Sequence, residues 1–429
     1  MRFELSGQVE CVSRLIDTYQ MAVSSITKLE SIQDSETPHA AAAAVTRVLI
    51  PLTTPFLYGM ERAVIELFDS LRPAVEPSFL QSNRIFQRQP PIIREMTRRG
   101  FSIELLPDVT DWERIAKPRS LKHLCQMITA FVRCNLGIFT CVRGKDVLYV
   151  ASVSVGSSSL LAAIYCRLTG RRVIHHFHDL GTTNRLFPLW LLLITDSVHN
   201  TEFGFQTIVK SFPAIRSKRN AIVPCIMEVD ERLPDDVEVC RQLRAQRNLF
   251  FVGQISRHKG VDLLVEAFKL VATKHPDVAL HLIGDGKQDF RQELDTEISA
   301  AGLMERVKFW GFREDATRLL RFAYIYVHTS PPSRVHESFG RSVVEAMAHG
   351  VPIVCFHSGA LREIVLHEET GLICEESSEM LAEGINRMLQ DPGFRNTCAA
   401  GARDRFEKFY SKPAVLYRWQ QVFGENVGH

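Results

Sequence analysis

The sequence lacks the features that define several large classes of protein. Its 10 cysteines are scattered over 429 residues, with no Cys-x-x-Cys pair and no zinc-finger spacing. A disulfide scaffold is therefore disfavoured, and a reduced, cytoplasmic setting is expected. The first ten residues, MRFELSGQVE, contain no apolar stretch of the kind found in signal peptides, so none is expected. The longest apolar run, LFPLWLLLI at 186–194, includes a proline and is shorter than the roughly 20 apolar residues that a membrane-spanning helix needs. We expect a soluble protein or one that rests on a membrane surface.

Net charge is also small, at +2, but it is unevenly distributed. Residues 1–220 carry 26 Lys and Arg against 19 Asp and Glu, whereas the remaining residues carry 25 against 30. The basic first half predicts an anionic partner, although an uneven but solvated surface explains the same numbers. With 45% hydrophobic and 23% charged residues, the composition is that of a globular protein.

Two blocks of alternating strand and helix patterns fill most of the chain. In the first block, apolar runs such as RVLIPL, FSIELLP, DVLYVAS, RRVIHHFHDL, DSVHNT and AIVPCIM read as strands. The second block continues with LFFVG, ALHLIG, RVKFWG, IYVHTS and VPIVCF, separated by amphipathic helices. Apolar strands that alternate with helices predict parallel sheets covered on both faces. The fold class predicted is α/β, with two doubly wound Rossmann-like domains and a ligand cleft between them.

The blocks suggest four segments. Residues 1–45 comprise a predicted amphipathic helix at 8–33 and a linker, and serve either as a packing element or as a contact for a partner or membrane. Residues 46–230 and 231–410 are the two predicted domains. Residues 411–429 contain a final predicted helix.

The stretch HESFGRSVVEAMAHGVPIV, at 336–354, carries the clearest chemical signal. Glu337 falls in the loop after a predicted strand, Gly340 stands where a helix should begin, and Glu345 lies inside that helix. Free N–H groups and the helix dipole at residues 339–342 favour an anion, while a carboxylate at Glu345 can accept hydrogen bonds from sugar hydroxyls. The alternative is that both acids are exposed surface charges.

This stretch, followed by GALREIV and TGLI and preceded by FVGQISRHKGVDLLVEAF and LIGDGK, resembles the donor-binding region of the family-4 retaining glycosyltransferases of GT-B fold. The likeness covers residues 248–410 well and is fainter over 46–230. The closing segment SKPAVLYRWQQVF, at 411–423, resembles the last helix of that fold, which implies that it crosses back to pack on the first domain. It implies that Glu337 binds donor-sugar hydroxyls together with the N–H groups of Ser338, Phe339 and Gly340, and that Glu345 holds the ribose. It also implies that Lys259 neutralises the diphosphate and that Gly253 lets the backbone approach it.

The sequence departs from the family where the family has an arginine after the glycine, because this chain has Gln254. We hypothesise that Arg257 supplies the missing charge; a solvated loop is the alternative for both Arg257 and Lys259. In the first domain, the resemblance places His178 at a strand end, near the reactive face of the sugar, and Gly59 in a loop near the phosphates. A structural histidine and a tight turn are the respective alternatives. Period-two alternation places His176 and His178 on one face of their strand.

The resemblance implies transfer of a sugar from a nucleotide-diphosphate donor, UDP- or GDP-linked, to a hydroxyl with retained configuration. No cofactor is expected beyond this co-substrate, and no metal, because no Asp-x-Asp pair stands at the predicted site. The expected acceptor is a glycan or lipid-linked molecule in polysaccharide or glycolipid biosynthesis, and nucleic acid is not expected as a partner. Basic residues of the first domain fit a phosphate-bearing lipid or the inner face of a membrane, or else are ordinary surface charges. They are Arg84, Arg88, Arg94, Arg98, Arg99, Lys117, Arg119 and Lys122.

Three other functions compete with this hypothesis. One is a sugar phosphorylase or epimerase of the same fold. Another is a metal-dependent hydrolase built on His176, His178 and Asp179, since a His-x-His pair can bind zinc. The last is a sugar-nucleotide binding protein without catalytic activity, which the loss of charge at Gln254 suggests.

Overall fold

The structure is a computed structural model that describes residues 45–106, 121–180 and 186–424. The helix predicted at 8–33 and the linker that follows it lie outside the described residues, as do Lys117 and Arg119. The boundaries of the four predicted segments stay a prediction.

The first half of the described chain forms one parallel sheet. Its strands are β1 (Thr46–Pro51), β2 (Val75–Ser82), β3 (Ser102–Leu106), β4 (Val147–Val150), β5 (Arg172–Phe177), β6 (Asp196–His199) and β7 (Arg219–Ile222). Within the described ranges the sheet has seven strands in the order β3-β2-β1-β4-β5-β6-β7. The order reverses between β1 and β4, which are the two strands whose following loops diverge to opposite faces.

The second half repeats this plan. Its strands are β8 (Arg247–Val252), β9 (Val278–Ile283), β10 (Val307–Gly311), β11 (Ile325–His328), β12 (Ile353–Phe356) and β13 (Gly371–Cys374). They are parallel, in the order β10-β9-β8-β11-β12-β13, so the order reverses between β8 and β11. The predicted alternation and the two parallel sheets are confirmed.

Helices cover both faces of each sheet. In the first half they are α1 (Gly59–Ser70), α2 (Asn83–Gln87), α3 (Pro91–Arg98), α4 (Leu121–Val142), α5 (Val153–Ser158), α6 (Leu160–Leu168), α7 (Phe187–Leu193) and α8 (Glu202–Ser211). In the second half they are α9 (Val237–Arg244), α10 (Val261–Lys274), α11 (Gln288–Ala300), α12 (Ala316–Leu319), α13 (Arg341–Ala348), α14 (Leu361–Ile364), α15 (Ser378–Gln390), α16 (Pro392–Phe409) and α17 (Lys412–Gly424). Five of them begin after a polar side chain that accepts a backbone N–H, a common start signal. These N-caps are Ser82, Thr201, Asp236, Ser377 and Asp391.

The cores form where the apolar patterns predict. In α10, Leu264, Ala267, Phe268 and Val271 are buried against the second sheet, as their spacing predicts. Helix α17 instead packs Val415, Trp419 and Phe423 into the core of the first sheet. Its position joins the end of the chain to the first half.

The structure differs from several local expectations. Strands β2 and β13 were not predicted, and the strand predicted from AIVPCIM ends at Ile222, so that residues 223–227 lie outside regular secondary structure at the start of the connection between the halves. Helix α4 contains one segment, Cys125–Val142, that is long and apolar enough by composition to cross a membrane, and 28% of it is buried. Polar residues such as Gln126 and Asn135 interrupt this segment, so it contains no long unbroken apolar run that would predict it from the sequence.

Candidate active site

Three of the predicted site residues lie after the carboxyl ends of strands at which the strand order reverses. Lys259 follows β8, Glu337 follows its neighbour β11, and Gly59 follows β1 in the other sheet. In doubly wound sheets this is the position at which loops separate and leave a crevice for a ligand. Residues that follow the strands of the two sheets contact each other, as Arg341 does with Glu66 and Thr201 with Ser338.

Glu337 is held by three donors at one of its oxygens. Its Oε1 accepts hydrogen bonds from Lys259 Nζ at 2.6 Å, from His328 Nε2 at 3.2 Å and from the Ser330 hydroxyl. Burial opposes ionisation of this carboxyl, but the bonds and charges of His328 and Lys259 outweigh it and hold the pKa of Glu337 well below its ordinary value. Glu337 is therefore a buried, ionised acid, and no described residue donates to its Oε2.

A close backbone contact positions Lys259. The next residue, Gly260, has a φ of +68° and lies so near the Thr329 carbonyl that a side chain would overlap it. The Thr329 hydroxyl also donates to the Lys259 carbonyl at 2.8 Å. Glycine is needed here because only it combines the left-handed conformation with this approach. The loop that carries Lys259 is thereby fixed to the end of β11.

The start of α13 presents free donors, as predicted. Gly340 precedes the helix with a φ of +75°, and no acceptor for the N–H groups of Ser338, Phe339 or Gly340 is found within the described part of the chain. Phe339 anchors the loop, since its ring is 4% exposed and packs against Tyr410. Free N–H groups and the helix dipole at such a position favour an anion.

Glu345 lies one turn into α13 and pairs with Arg341. The Arg341 Nε donates to Glu345 Oε1 at 2.8 Å, and its Nη2 donates to both oxygens of Glu66, in α1 of the first half, at 2.7 and 2.9 Å. Glu345 and Glu66 are buried. The alternative reading of Glu337 and Glu345 as exposed surface charges is not supported.

Two further hydrogen-bonded contacts join the halves beside α13. The Thr201 hydroxyl, at the start of α8, donates to the Ser338 carbonyl at 2.9 Å. The Glu363 carboxylate in α14 accepts the first backbone N–H groups of α8, including that of Glu202 at 2.9 Å. The loop after β11 and helix α14 therefore both contact the start of α8 in the first half.

His178 stands at the end of a buried chain of hydrogen bonds. The Tyr149 hydroxyl contacts His176 Nδ1 at 2.5 Å, His176 Nε2 contacts Asn200 Oδ1 at 2.8 Å, and Asn200 Nδ2 contacts His178 Nδ1 at 3.4 Å. The rings of His176 and His178 are 3.9 Å apart, on one face of β5 as predicted.

The direction of this chain follows from Cys225. Burial raises the pKa of the Cys225 thiol to about 12, so the thiol keeps its proton and donates it to Asn200 Oδ1, 3.2 Å away. Asn200 Oδ1 therefore accepts from His176 as well, and the Asn200 amide donates to His178 Nδ1. This leaves the proton of His178 on Nε2, which is buried and lacks a partner among the described residues.

His178 is a neutral donor. Burial, followed by the proximity of His176, His175 and Arg341, keeps its pKa well below 6.5. Burial also lowers the pKa of His176 to about 4, and both ring nitrogens of His176 are already in hydrogen bonds. His176 thus has no free nitrogen for a metal, and Asp179 is exposed, which argues against the metal-dependent hydrolase.

The remaining predicted residues are Gly59, Gly253 and Arg257. Gly59 begins α1 next to Arg341, whose Cδ would lie 3.9 Å from a Cβ at this position, and its φ is not positive, so turn conformation does not explain it. Gly253 follows β8 and donates to the Ile283 carbonyl at 3.0 Å. Arg257 is exposed and pairs with Glu293 at 2.5 Å and with Asp262 at 3.5 Å. No contact in the structure supports the hypothesis that it replaces the charge missing at Gln254.

Sequence reasoning missed several residues that shape the site. Arg341 and Glu345 are four apart on a predicted helix, a spacing that brings opposite charges together and was available as a signal. Glu66 and Asn200 carry no local signal, because each contacts residues more than 20 positions away.

Residues 242–405 match the family model described as glycosyl transferases group 1. This segment belongs to the glycosyl transferases group 1 family. An uncharacterised glycosyltransferase of Methanocaldococcus jannaschii is 29% identical over 215 residues, which cover 48% of this chain and 51% of that protein. The 2-deoxystreptamine N-acetyl-D-glucosaminyltransferase of Niallia circulans is 31% identical over 165 residues, or 37% of this chain and 40% of that protein. The chain therefore matches about half or less of the length of these relatives.

Solved structures extend the likeness beyond the group 1 segment. The crystal structure of Anabaena Alr3699/HepE in complex with UDP-glucose superposes with a TM-score of 0.70 and 20% identity, and covers 88% of this chain and 99% of that chain. At this identity the likeness shows the fold alone. The chain has the predicted two-domain GT-B fold, with the group 1 segment in its second half.

Proposed function

We propose that this protein is a retaining glycosyltransferase that moves a sugar from a nucleotide-diphosphate donor to a hydroxyl acceptor. The observation that carries the proposal is the convergence of Glu337, Lys259 and the free N–H groups at the start of α13 where β8 and β11 diverge. The group 1 segment supports it, and so does the UDP-glucose found in the similar Anabaena protein. UDP- and GDP-sugars are the proposed donors.

The site meets the two electrostatic demands of such a reaction. A departing diphosphate gathers negative charge, which the N–H groups of 338–340 and the Lys259 ammonium would stabilise without reorganisation. The donor-sugar hydroxyls would bind Glu337 through Oε2, because Oε1 is already bound to Lys259, His328 and Ser330. No metal is required in this scheme.

His178 would act as a hydrogen-bond donor rather than as a cation. Positive charge builds on the sugar ring as the diphosphate leaves, and a protonated imidazole beside the ring would oppose it. The low pKa of His178 keeps the ring neutral, while its Nε2–H remains available to an oxygen of the donor. The acceptor would enter from the side of Gly59 and the first sheet, and would release its proton to a donor phosphate oxygen.

The test is donor binding followed by product analysis. A thermal-shift series with UDP- and GDP-sugars should raise the melting temperature for one base, because a ligand at a hundredfold excess over Kd adds about 2.7 kcal/mol of stability. Incubation with that donor and glycan or lipid acceptors should release free nucleoside diphosphate and form a glycoside of unchanged anomeric configuration. Sugar 1-phosphate or an isomerised donor would point to a phosphorylase or epimerase, and binding without turnover to a binding protein. Absence of binding to every nucleotide sugar would overturn the proposal.

We further propose that the acceptor is presented at an anionic membrane surface. Apolar side chains on the adjacent helices α4, α6 and α7 are exposed: Ile128 by 40%, Leu168 by 70% and Leu192 by 64%. Among the predicted basic residues, however, Arg98 and Arg99 are paired with acids, whereas Arg84 and Arg88 are exposed. The proposal therefore depends on the apolar face more than on the basic residues.

Co-sedimentation with vesicles tests this surface. The protein should sediment with vesicles that contain phosphatidylglycerol, and Leu192→Glu should reduce the bound fraction severalfold, because it places a charge in the apolar face. Val237→Glu is the matched change in the second half, where Val237 is 80% exposed, and it should leave binding unaltered. Equal binding by the two variants would argue against this face.

A further inference from the structure

Arg341 links acids from the two halves of the chain. Its guanidinium donates to Glu66 in α1 through Nη2, and to Glu345 in α13 through Nε, at distances of 2.7 to 2.9 Å. The side chains of Arg341, Glu66 and Glu345 are only 15%, 5% and 11% exposed. Contacts this short between buried charged groups hold each partner in one geometry.

Two nitrogens of the Arg341 guanidinium bind different acids: Nη2 binds Glu66 and Nε binds Glu345. Glu66 accepts Nη2 with both oxygens, which fixes the plane of the Arg341 head group. The Nε edge then meets a single oxygen of Glu345, Oε1. No described residue donates to Glu345 Oε2, so the acid presents one oxygen in a fixed orientation. A planar guanidinium holds a carboxylate in this way, whereas a lysine ammonium would leave it free to rotate.

Loss of Glu66 would therefore change how Arg341 binds the Glu345 carboxylate. Without it, Arg341 would gain rotational freedom and its Nη2 would seek the nearest carboxylate, which is Glu345 itself. A bidentate pair between Arg341 and Glu345 would occupy both oxygens of the acid and compete with any hydroxyl that binds there.

We propose that Glu66 and Arg341 are positioning residues for donor binding: they hold Glu345 with one oxygen free for the ribose hydroxyls of the nucleotide. The first half of the chain thus contributes to recognition of the ribose without touching it. This inference rests on the proposed function, and it adds a determinant of selectivity for ribonucleotides over deoxyribonucleotides. Glu66 lies outside the group 1 segment, so the family match does not indicate it.

The test compares a nucleoside diphosphate with its 2′-deoxy counterpart, UDP with dUDP or GDP with dGDP, by titration calorimetry on the full chain. The unaltered protein should prefer the ribose form about tenfold, the value of one lost hydrogen bond to a charged group. Glu66→Gln and Arg341→Met should weaken binding of the ribose form about 5- to 30-fold and change binding of the deoxy form less than twofold, so that the preference disappears. In a protein that already carries Glu345→Gln, the further change Arg341→Met should have little additional effect on binding of the ribose form.

Glu363→Gln is the matched control, because Glu363 also joins the halves but contacts α8 instead of Glu345. It should leave the ribose preference intact. Equal weakening of ribose and deoxy forms by Arg341→Met and Glu66→Gln would mean that the pair only joins the halves, and would overturn the inference while leaving the proposed function standing. If the unaltered protein bound neither diphosphate, both the proposed function and the inference would fail. Glu66→Gln is nearly isosteric, so it keeps the test decisive if Arg341→Met does not fold.

Discussion

Replacing Lys259 with methionine is expected to reduce the rate of sugar transfer by about 10² to 10³, the usual effect of removing one preorganised group that stabilises a leaving charge. Lys259 is the cation in contact with Glu337, at 2.6 Å, and Gly260 fixes its loop to β11. Methionine keeps the length of the side chain and removes its charge. The loss should appear in kcat/KM for the donor.

The companion variant is Arg257→Met, which tests whether Arg257 or Lys259 stabilises the charge of the leaving group. Arg257 is 59% exposed and pairs with Glu293, an arrangement that contributes at most about 1 kcal/mol to stability and none to the cleft. We expect its kcat/KM to stay within twofold of the unaltered protein. A large loss with Arg257→Met and a small one with Lys259→Met would reverse the assignment and support the compensation for Gln254 that the sequence suggested.

The same ion pair makes a prediction about pH. The pKa of Glu337 lies below its ordinary value of 4.5 in the folded chain. A carboxyl with a lowered pKa stabilises the fold above its unfolded-state pKa and loses this contribution as the pH falls toward the folded-state value. The free energy of unfolding should therefore decline below about pH 4.5, and less steeply in Glu337→Gln. Identical declines in urea unfolding at several pH values would contradict the pairing.

Changing Asn200 to aspartate should also reduce transfer about 10²-fold, but for a different reason. A carboxylate at this position can only accept, so His178 would turn its proton toward Nδ1 and leave Nε2 without one. The added negative charge would also raise the pKa of His178 from its low value toward the neutral range. On lowering the pH, the ring would gain a second proton and regain an Nε2–H donor, while the introduced carboxylate would balance the positive charge of the ring, so the variant should recover part of its activity as the pH falls.

Asn200→Ala is the comparison for this result, because it breaks the chain without adding charge. It should be impaired at every pH and show no recovery on acidification. The unaltered protein should show no titration of His178 above pH 6.5, since burial holds the pKa of His178 well below that ordinary value. Matching pH profiles for the two variants would exclude a role for the Tyr149–His176–Asn200 chain in orienting His178.

Most of the fold could be predicted because its strands are apolar runs of the right length. The exceptions have physical causes. Strand β2 includes Glu76 and Pro77, which weaken its pattern, yet Ser78 and Phe79 are buried because β1 and β3 flank it on both sides. The strand predicted to reach residue 227 stops at Ile222, where the edge of the sheet offers no further partner within the described ranges.

The candidate site could be predicted only in part. Residues that belong to one continuous motif, such as Glu337, Gly340 and Glu345, were available from the sequence. The pairing of Lys259 with Glu337 and the exposed position of Arg257 could not be predicted from the sequence. Both depend on how the loop after β8 lies against β11. Contacts between the halves, such as Arg341 with Glu66, join residues 275 positions apart and have no local signature.

The chain passes from one half to the other twice, at residues 223–236 and again after α16, and these two crossings are tied together. The Trp419 indole in α17 donates to the Pro224 carbonyl at 3.1 Å, and Arg418 donates to the Ile222 carbonyl. If the halves rotate relative to each other, two adjacent, fastened crossings would favour rotation about the line that joins them over sliding or twisting. Fluorescent labels placed on the opposite edges of the two halves would then report the widest change in separation.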